Sequence, residues 1–141
     1  MHNTGGMETI QQDNAYHVNE AEWSPNEHGG APHIAYTLWI PREGTAVWCN
    51  ELWERSWHAN LADDRYVGIA LQGDGRTNDP TPTQKASLKY LINTWLPAHG
   101  VTVNEVYGHC EVGAQGPGPN LGTATICPGA GYLKYVQELR G

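Results

Sequence analysis

The side chains best able to do chemistry in this chain are seven histidines and three cysteines. Three cysteines cannot all pair, and imidazole and thiolate are both good ligands for a borderline-soft ion such as Zn2+. No paired C-x-x-C or H-E-x-x-H is present, so spacing alone does not define a site. Position says more. His109 follows directly on Val101 to Tyr107, a run that reads as a strand, and Cys127 stands in a Gly/Pro-rich loop just before Pro128 and Gly129. Both sit at element ends, where functional loops project. With one further histidine as third ligand they would leave a tetrahedral ion one open position for water, the arrangement of a catalytic zinc. On spacing alone the same residues also fit an incidental histidine and an inert thiol. Cys49 and Cys110 read as small buried hydrophobes, and His17, His28 and His99 as surface residues.

The elements that must position these groups follow from periodicity and punctuation. Glu8 to Val18 mixes Ile10, Ala15, Tyr16 and Val18 with polar residues, as a short helix would. Trp23 to Pro32 is a loop, broken by Pro and Gly. From His33 to Ile40, Ile34, Tyr36, Leu38 and Ile40 alternate with Ala35, Thr37 and Trp39, which predicts a strand with those four on one face. A turn at Pro41 to Gly44 and a second β run at Thr45 to Cys49 make a hairpin, and Val67, Ile69 and Leu71 mark a third strand. Thr81, Pro82 and Gln84 form a helix start with a capping box. Behind it Leu88, Leu91, Ile92, Trp95 and Leu96 make one apolar stripe, ended by Pro97 and Gly100. Tyr132 to Arg140 predicts a terminal helix with Leu133, Val136 and Leu139 inward. The fold class is α/β, a mixed central β-sheet flanked by helices.

At 141 residues the chain is one domain, long enough to fold without disulfide staples. Eight Lys and Arg against 15 Asp and Glu give a formal charge of -7, which argues against nucleic acid or a membrane as a partner held by charge. No apolar run approaches a membrane span, and Met1 to Thr9 has neither the basic nor the apolar region of a signal peptide. Phe is absent while Trp numbers 6 and Tyr 7, aromatics whose polar handles suit a binding groove as well as a core.

The order MHNTGG, HIAYTLWIPREGTAVW, SWHAN, YVGIALQGDG, PTPTQKASLKYLINTWL, YGHCEV and TICPG resembles the zinc-dependent N-acetylmuramoyl-L-alanine amidases, which include phage endolysins and the animal peptidoglycan recognition proteins. The likeness covers nearly the whole chain and several motifs agree in order. It implies that fold for residues 1 to 141 and three zinc ligands: His2, His109 and Cys127. It implies that Tyr36 positions the attacking water or the substrate carbonyl, and that Trp57, His58 and Ala59 line the substrate cleft, with His58 at the scissile region. Thr125 stands two residues before the cysteine, where phage enzymes often carry Lys and animal amidases Thr; a hydroxyl donates one hydrogen bond to an oxyanion but supplies no charge. Proton transfer to the leaving amine is implied to involve Tyr36, His58, Glu20 or Glu22. The expected function is hydrolysis of the bond between N-acetylmuramic acid and L-alanine in peptidoglycan, by a monomeric phage endolysin made in the host cytoplasm and released by a holin.

Departures from the family pattern are equally specific. Relatives carry a strand before the first histidine, whereas His2 is the second residue here, so either the first strand is missing or the first ligand is poorly anchored. Thr37 stands where many relatives have His, and Cys110 where many have Arg followed by Asp. The 111–125 loop is longer and richer in glycine, as a specificity element or a tolerated insertion would be. Two other functions compete: a recognition module that binds muropeptides without cutting them, which the retained Cys127 and Tyr36 disfavour, and an α/β domain with a structural zinc or no metal, whose histidines are incidental.

Overall fold

The structure, a computed structural model, describes residues 1–19, 32–59, 63, 65–113, 116–117 and 125–140. Its centre is a sheet with the spatial order β1 (His2–Asn3), β4 (Ile69–Leu71), β2 (Leu38–Ile40), β3 (Val47–Trp48). β1 and β2 both run parallel to β4, and β3 closes an antiparallel hairpin with β2. Gly44, at φ 94, makes the hairpin's turn, a conformation that costs a side-chain-bearing residue strain. The register places His2, Ala70 and Trp39 in one row across the three parallel strands, and residues in such a row share a face.

Helices cover both faces. On the His2 face lies α1 (Ile10–Asn19), whose start is a capping box: the Thr9 hydroxyl accepts from the Gln12 N–H at 3.3 Å, and Gln12 Oε1 accepts from the Thr9 N–H at 2.8 Å. The opposite face meets α2 (Pro82–Tyr90), a wide turn at Leu91–Trp95 and α3 (Leu96–Ala98). Leu38, Ile40 and Leu71 of the sheet pack there on Leu88, Leu91 and Leu96, with Tyr132 and Tyr135 of α4 (Ala130–Arg140) closing the core. Each fully buried leucine contributes about 1.5–3 kcal/mol. The Thr81 capping box forms as its spacing predicts, and the buried Gln84 amide donates onward to Ile40 O and Gln72 O, at 3.1 and 2.9 Å, tying the helix to the sheet's end.

Four local readings of the sequence are corrected. The strand predicted over 33–40 is a ladder only over Leu38–Ile40, because Thr37 forms a β-bulge: the Thr37 and Leu38 N–H groups both donate to Gly68 O, at 2.9 and 3.0 Å. A bulge shifts side-chain parity by one, so Tyr36 joins Trp39, Ala35 and Ala70 rather than Leu38 and Ile40. Val101 to Tyr107 has no ladder: the Val101 N–H donates to Leu96 O at 3.0 Å, Val106 O accepts from Arg140 Nε at 2.7 Å, and Tyr107 O accepts from the Met1 ammonium at 2.5 Å, while just beyond it the His109 N–H donates to Met1 O at 3.0 Å. The long helix passes Pro97 by one residue, to Ala98, with the wide turn handing the Leu96 N–H to Leu91 O, while Gly100, at φ 80, closes it as the sequence reads. In α4 the buried residues are Tyr132, Tyr135 and Val136, with Leu133 and Leu139 half-buried. The helix over 10–19, the 41–44 turn and the strand ending at Leu71 otherwise follow the sequence reading, and β5 (Val112–Gly113) with β6 (Gly116–Pro117) adds a small hairpin.

Candidate metal centre

Three separate segments converge on one point beside the sheet's β1 edge. β1 presents His2, which is 3 % exposed and held in the ladder opposite Ala70; a side chain so anchored is not on a frayed end. A short 3-10 turn, His109–Glu111, opens with His109, its carboxyl side fastened by the Glu111–Arg140 ion pair. The loop before α4 brings Cys127, and the Cys110 N–H donates to Cys127 O at 2.7 Å, joining the second and third segments. Gly129, at φ 85, packs so closely on Gly75 that a Cβ would lie 2.3 Å from that backbone. One ligand atom from each of His2, His109 and Cys127 lies within 4.8 Å of the other two.

Electrostatics favour neutral rings. Burial holds His2 well below the usual histidine range, helped by the neighbouring His109, and burial takes His109 down to about 4. Both imidazoles therefore carry lone pairs at neutral pH. Burial pushes the Cys127 thiol up to about 11, so without a cation nearby it keeps its proton. The donor set suits zinc: bonds of about 2.1 Å to nitrogen and 2.3 Å to sulfur put a tetrahedral N–S pair about 3.6 Å apart, and His2 Nδ1 lies 3.7 Å from Cys127 Sγ.

The other residues singled out in the sequence fall around this cluster. The Thr37 bulge turns Tyr36 to within 5.2 Å of the His2 ring, centroid to centroid, and burial raises its phenol well above 10, so it is a donor. The Thr125 hydroxyl accepts from the Cys127 N–H at 3.1 Å. Trp57 is half-buried against the Tyr36–Trp39 cluster with the Arg55 guanidinium 4.4 Å over its ring. His58 lies deeper than a cleft wall would: at 7 % exposure its Nε2 bonds Tyr66 O at 2.9 Å and its Nδ1 meets His2 Nε2 at 3.1 Å. It still borders, with His2 and His109, a cavity of about 440 Å³ that reaches Leu88, Leu96 and Val101.

Sequence reading missed three things. His17, which the sequence reads as a surface residue, is 4 % exposed, beside Asp13 and the Tyr36 ring. Asn3 stands 3.5 Å from the Cys127 sulfur. The bond between His58 and His2 joins residues 56 apart, for which no local signal exists. His99 is exposed as expected, whereas Cys49 and Cys110 are half-buried rather than fully so. Glu20, Glu22, His28 and most of the 111–125 loop lie outside the described residues.

Fold and cluster together define an α/β domain with a His–His–Cys site at the edge of a mixed sheet. The family model described as N-acetylmuramoyl-L-alanine amidase matches residues 1–130, and the chain belongs to that family. Solved structures agree on the fold. The N-acetylmuramoyl-L-alanine amidase LysC from Clostridium intestinale superposes with a TM-score of 0.71 at 22 % identity, over 99 % of this chain and 81 % of that one. PGRP-SA from Apis mellifera gives 0.74 at 20 %, over 96 % and 78 %, and the Drosophila peptidoglycan recognition protein PGRP-SA gives 0.74 at 19 %, over 97 % and 75 %. No curated protein matches the chain in sequence. No described helix is long and apolar enough to cross a membrane.

Proposed function

We propose that this chain is a zinc-dependent amidase that hydrolyses the bond between N-acetylmuramic acid and L-alanine in peptidoglycan. The observation that carries the reading is the convergence of His2, His109 and Cys127 within 4.8 Å, beside a protonated Tyr36, in a chain of the amidase family. Zinc held there would polarise the scissile carbonyl and lower the pKa of a water to about 7. The chain's own residues do the rest. His2, His109 and Cys127 hold the ion, and Tyr36 donates a hydrogen bond to the carbonyl or orients the water. Thr125, whose oxygen already accepts from Cys127, keeps its hydroxyl proton to give to the oxyanion. Trp57 forms a wall of the cleft.

An endolysin role, as a single catalytic domain freed from the host cytoplasm, accords with the likeness to a Clostridium intestinale endolysine amidase, LysCS. The test is mass spectrometry of a purified muramoyl-peptide incubated with the protein, then repeated after chelation and after zinc is restored. Release of an intact stem peptide with a free L-alanine amine, lost on chelation and recovered with zinc, is the expected result. Tight binding without cleavage in any condition would replace the enzyme with a recognition module.

A further inference from the structure

His58 makes two buried hydrogen bonds, and their directions are forced. Tyr66 O can only accept, so the His58 Nε2 carries the proton and donates across 2.9 Å. A buried ring beside two other imidazoles stays neutral, which leaves only a lone pair on Nδ1. That lone pair faces His2 Nε2 at 3.1 Å, so His2 must donate, and its own proton lies on Nε2. The remaining nitrogen of His2, Nδ1, then holds a lone pair and is the atom 3.7 Å from the Cys127 sulfur.

We propose that His58 is a positioning residue that relays the Tyr66 carbonyl to His2, locking His2 in the tautomer that offers Nδ1 to the metal. The proposal rests on the metal-centre reading above. It assigns His58 to the ion's support, where its place in the SWHAN segment suggested the substrate. The relay is itself braced: Gly68 lies against the His58 ring so closely that a Cβ there would come within 2.6 Å of two ring carbons. A glycine at 68 is therefore required by the ring. Partners of this kind orient a ligand and raise its basicity, and losing one typically weakens metal binding about 10- to 100-fold.

The experiment reads two quantities in the wild type, His58→Phe, His58→Asn and Gly68→Ala: the protonated nitrogen of His2, by 15N NMR of the metal-free chain, and zinc affinity, by competition with a chelator. In the wild type the His2 proton is expected on Nε2. His58→Phe should lower zinc affinity about 10- to 100-fold and lose the single tautomer. His58→Asn, whose amide oxygen replaces the Nδ1 lone pair, should recover most of the affinity. Gly68→Ala keeps both imidazoles but displaces the ring, and should weaken zinc even if His58→Phe does not fold. A His2 proton on Nδ1, or wild-type zinc affinity in a folded His58→Phe and in Gly68→Ala together, overturns the proposal. A loss confined to KM for the muropeptide would return His58 to the substrate. A wild type that takes no zinc removes the metal centre and the proposal with it; that case is told apart because the tautomer is read without metal.

Discussion

Histidines occupy two places on the same face of this sheet, and the two places have opposite characters. His2, His58 and His109 gather at the β1 edge around a thiol, with no carboxylate oxygen in the ligand cluster. His17 lies on α1, with Nδ1 3.7 Å from the Asp13 carboxylate and 3.4 Å from the Ala35 N–H. Asp13 in turn accepts from the Trp39 indole at 3.1 Å. The Tyr36 ring touches both groups, 5.2 Å from His2 and 5.2 Å from His17. Burial alone therefore does not mark function. What separates them is whether the ring nitrogens converge on one point with a thiol, or a ring nitrogen accepts from the Ala35 N–H beside Asp13 and so holds a helix to a sheet.

The sharpest break in that comparison comes from removing one member of each group. His109→Ala and Cys127→Ser should each abolish stoichiometric zinc and all measurable amidase activity, while His17→Gln should keep one zinc per chain. Metal analysis after gel filtration decides this, and equal zinc loss in His17→Gln would merge the two groups. Tyr36→Phe tests the residue between them. It should retain zinc and fold but lose about 10²- to 10³-fold in kcat, the usual cost of one oxyanion donor. Wild-type turnover there would assign Tyr36 to packing alone.

The same contrast explains what the sequence could and could not disclose. The Thr81–Gln84 capping box is legible because all its partners lie within four residues. The apolar stripe from Leu88 to Leu96 is legible because one helix face repeats locally. Alternation puts Tyr36 on the wrong face because the Thr37 bulge depends on the carbonyl of Gly68, just before another strand. Val101 to Tyr107 has strand composition, but a ladder needs a partner strand, and what meets its end is the Met1 ammonium and the Arg140 side chain. His2 and Cys127 are 125 residues apart; spacing could not join them, and only motif order across the whole chain could. His17 looked exposed because its cover, Asp13 and the Tyr36 ring, is assembled by the fold.

In the metal-free protein the Asp13 carboxyl beside His17 should oppose the pH dependence that all four histidines share. Burial holds His17, His58 and His109 at about 4 and His2 well below its usual range. These folded values lie below the unfolded value of about 6.5. The unfolded chain then binds more protons between about pH 6.5 and 4, so their contribution is present above that window and is lost as pH falls through it, by up to about 1.4 kcal/mol per pH unit for each proton. Asp13 works the other way. Burial raises it to about 7, so the folded chain holds the extra proton and stability falls as pH rises from about 4 to 7. Asp13→Asn removes this opposing slope, and urea unfolding of the variant should show a steeper acid loss than the wild type. An unchanged slope would mean that Asp13 does not hold a proton beside His17.

The smallest expected effect serves as the control for all the others. Thr81→Ala deletes the hydroxyl that accepts from the Gln84 N–H at 3.1 Å and donates to Arg42 O at 2.7 Å. Losing an N-cap of this type costs about 1 kcal/mol. α2 backs the sheet on the face away from His2, so the loss should appear in the urea midpoint and leave zinc affinity and the His2 tautomer unchanged. General destabilisation would weaken metal binding in Thr81→Ala and in the His58 variants alike, in proportion to their midpoints. A specific relay predicts that only the His58 and Gly68 variants lose zinc, even where Thr81→Ala is the less stable protein.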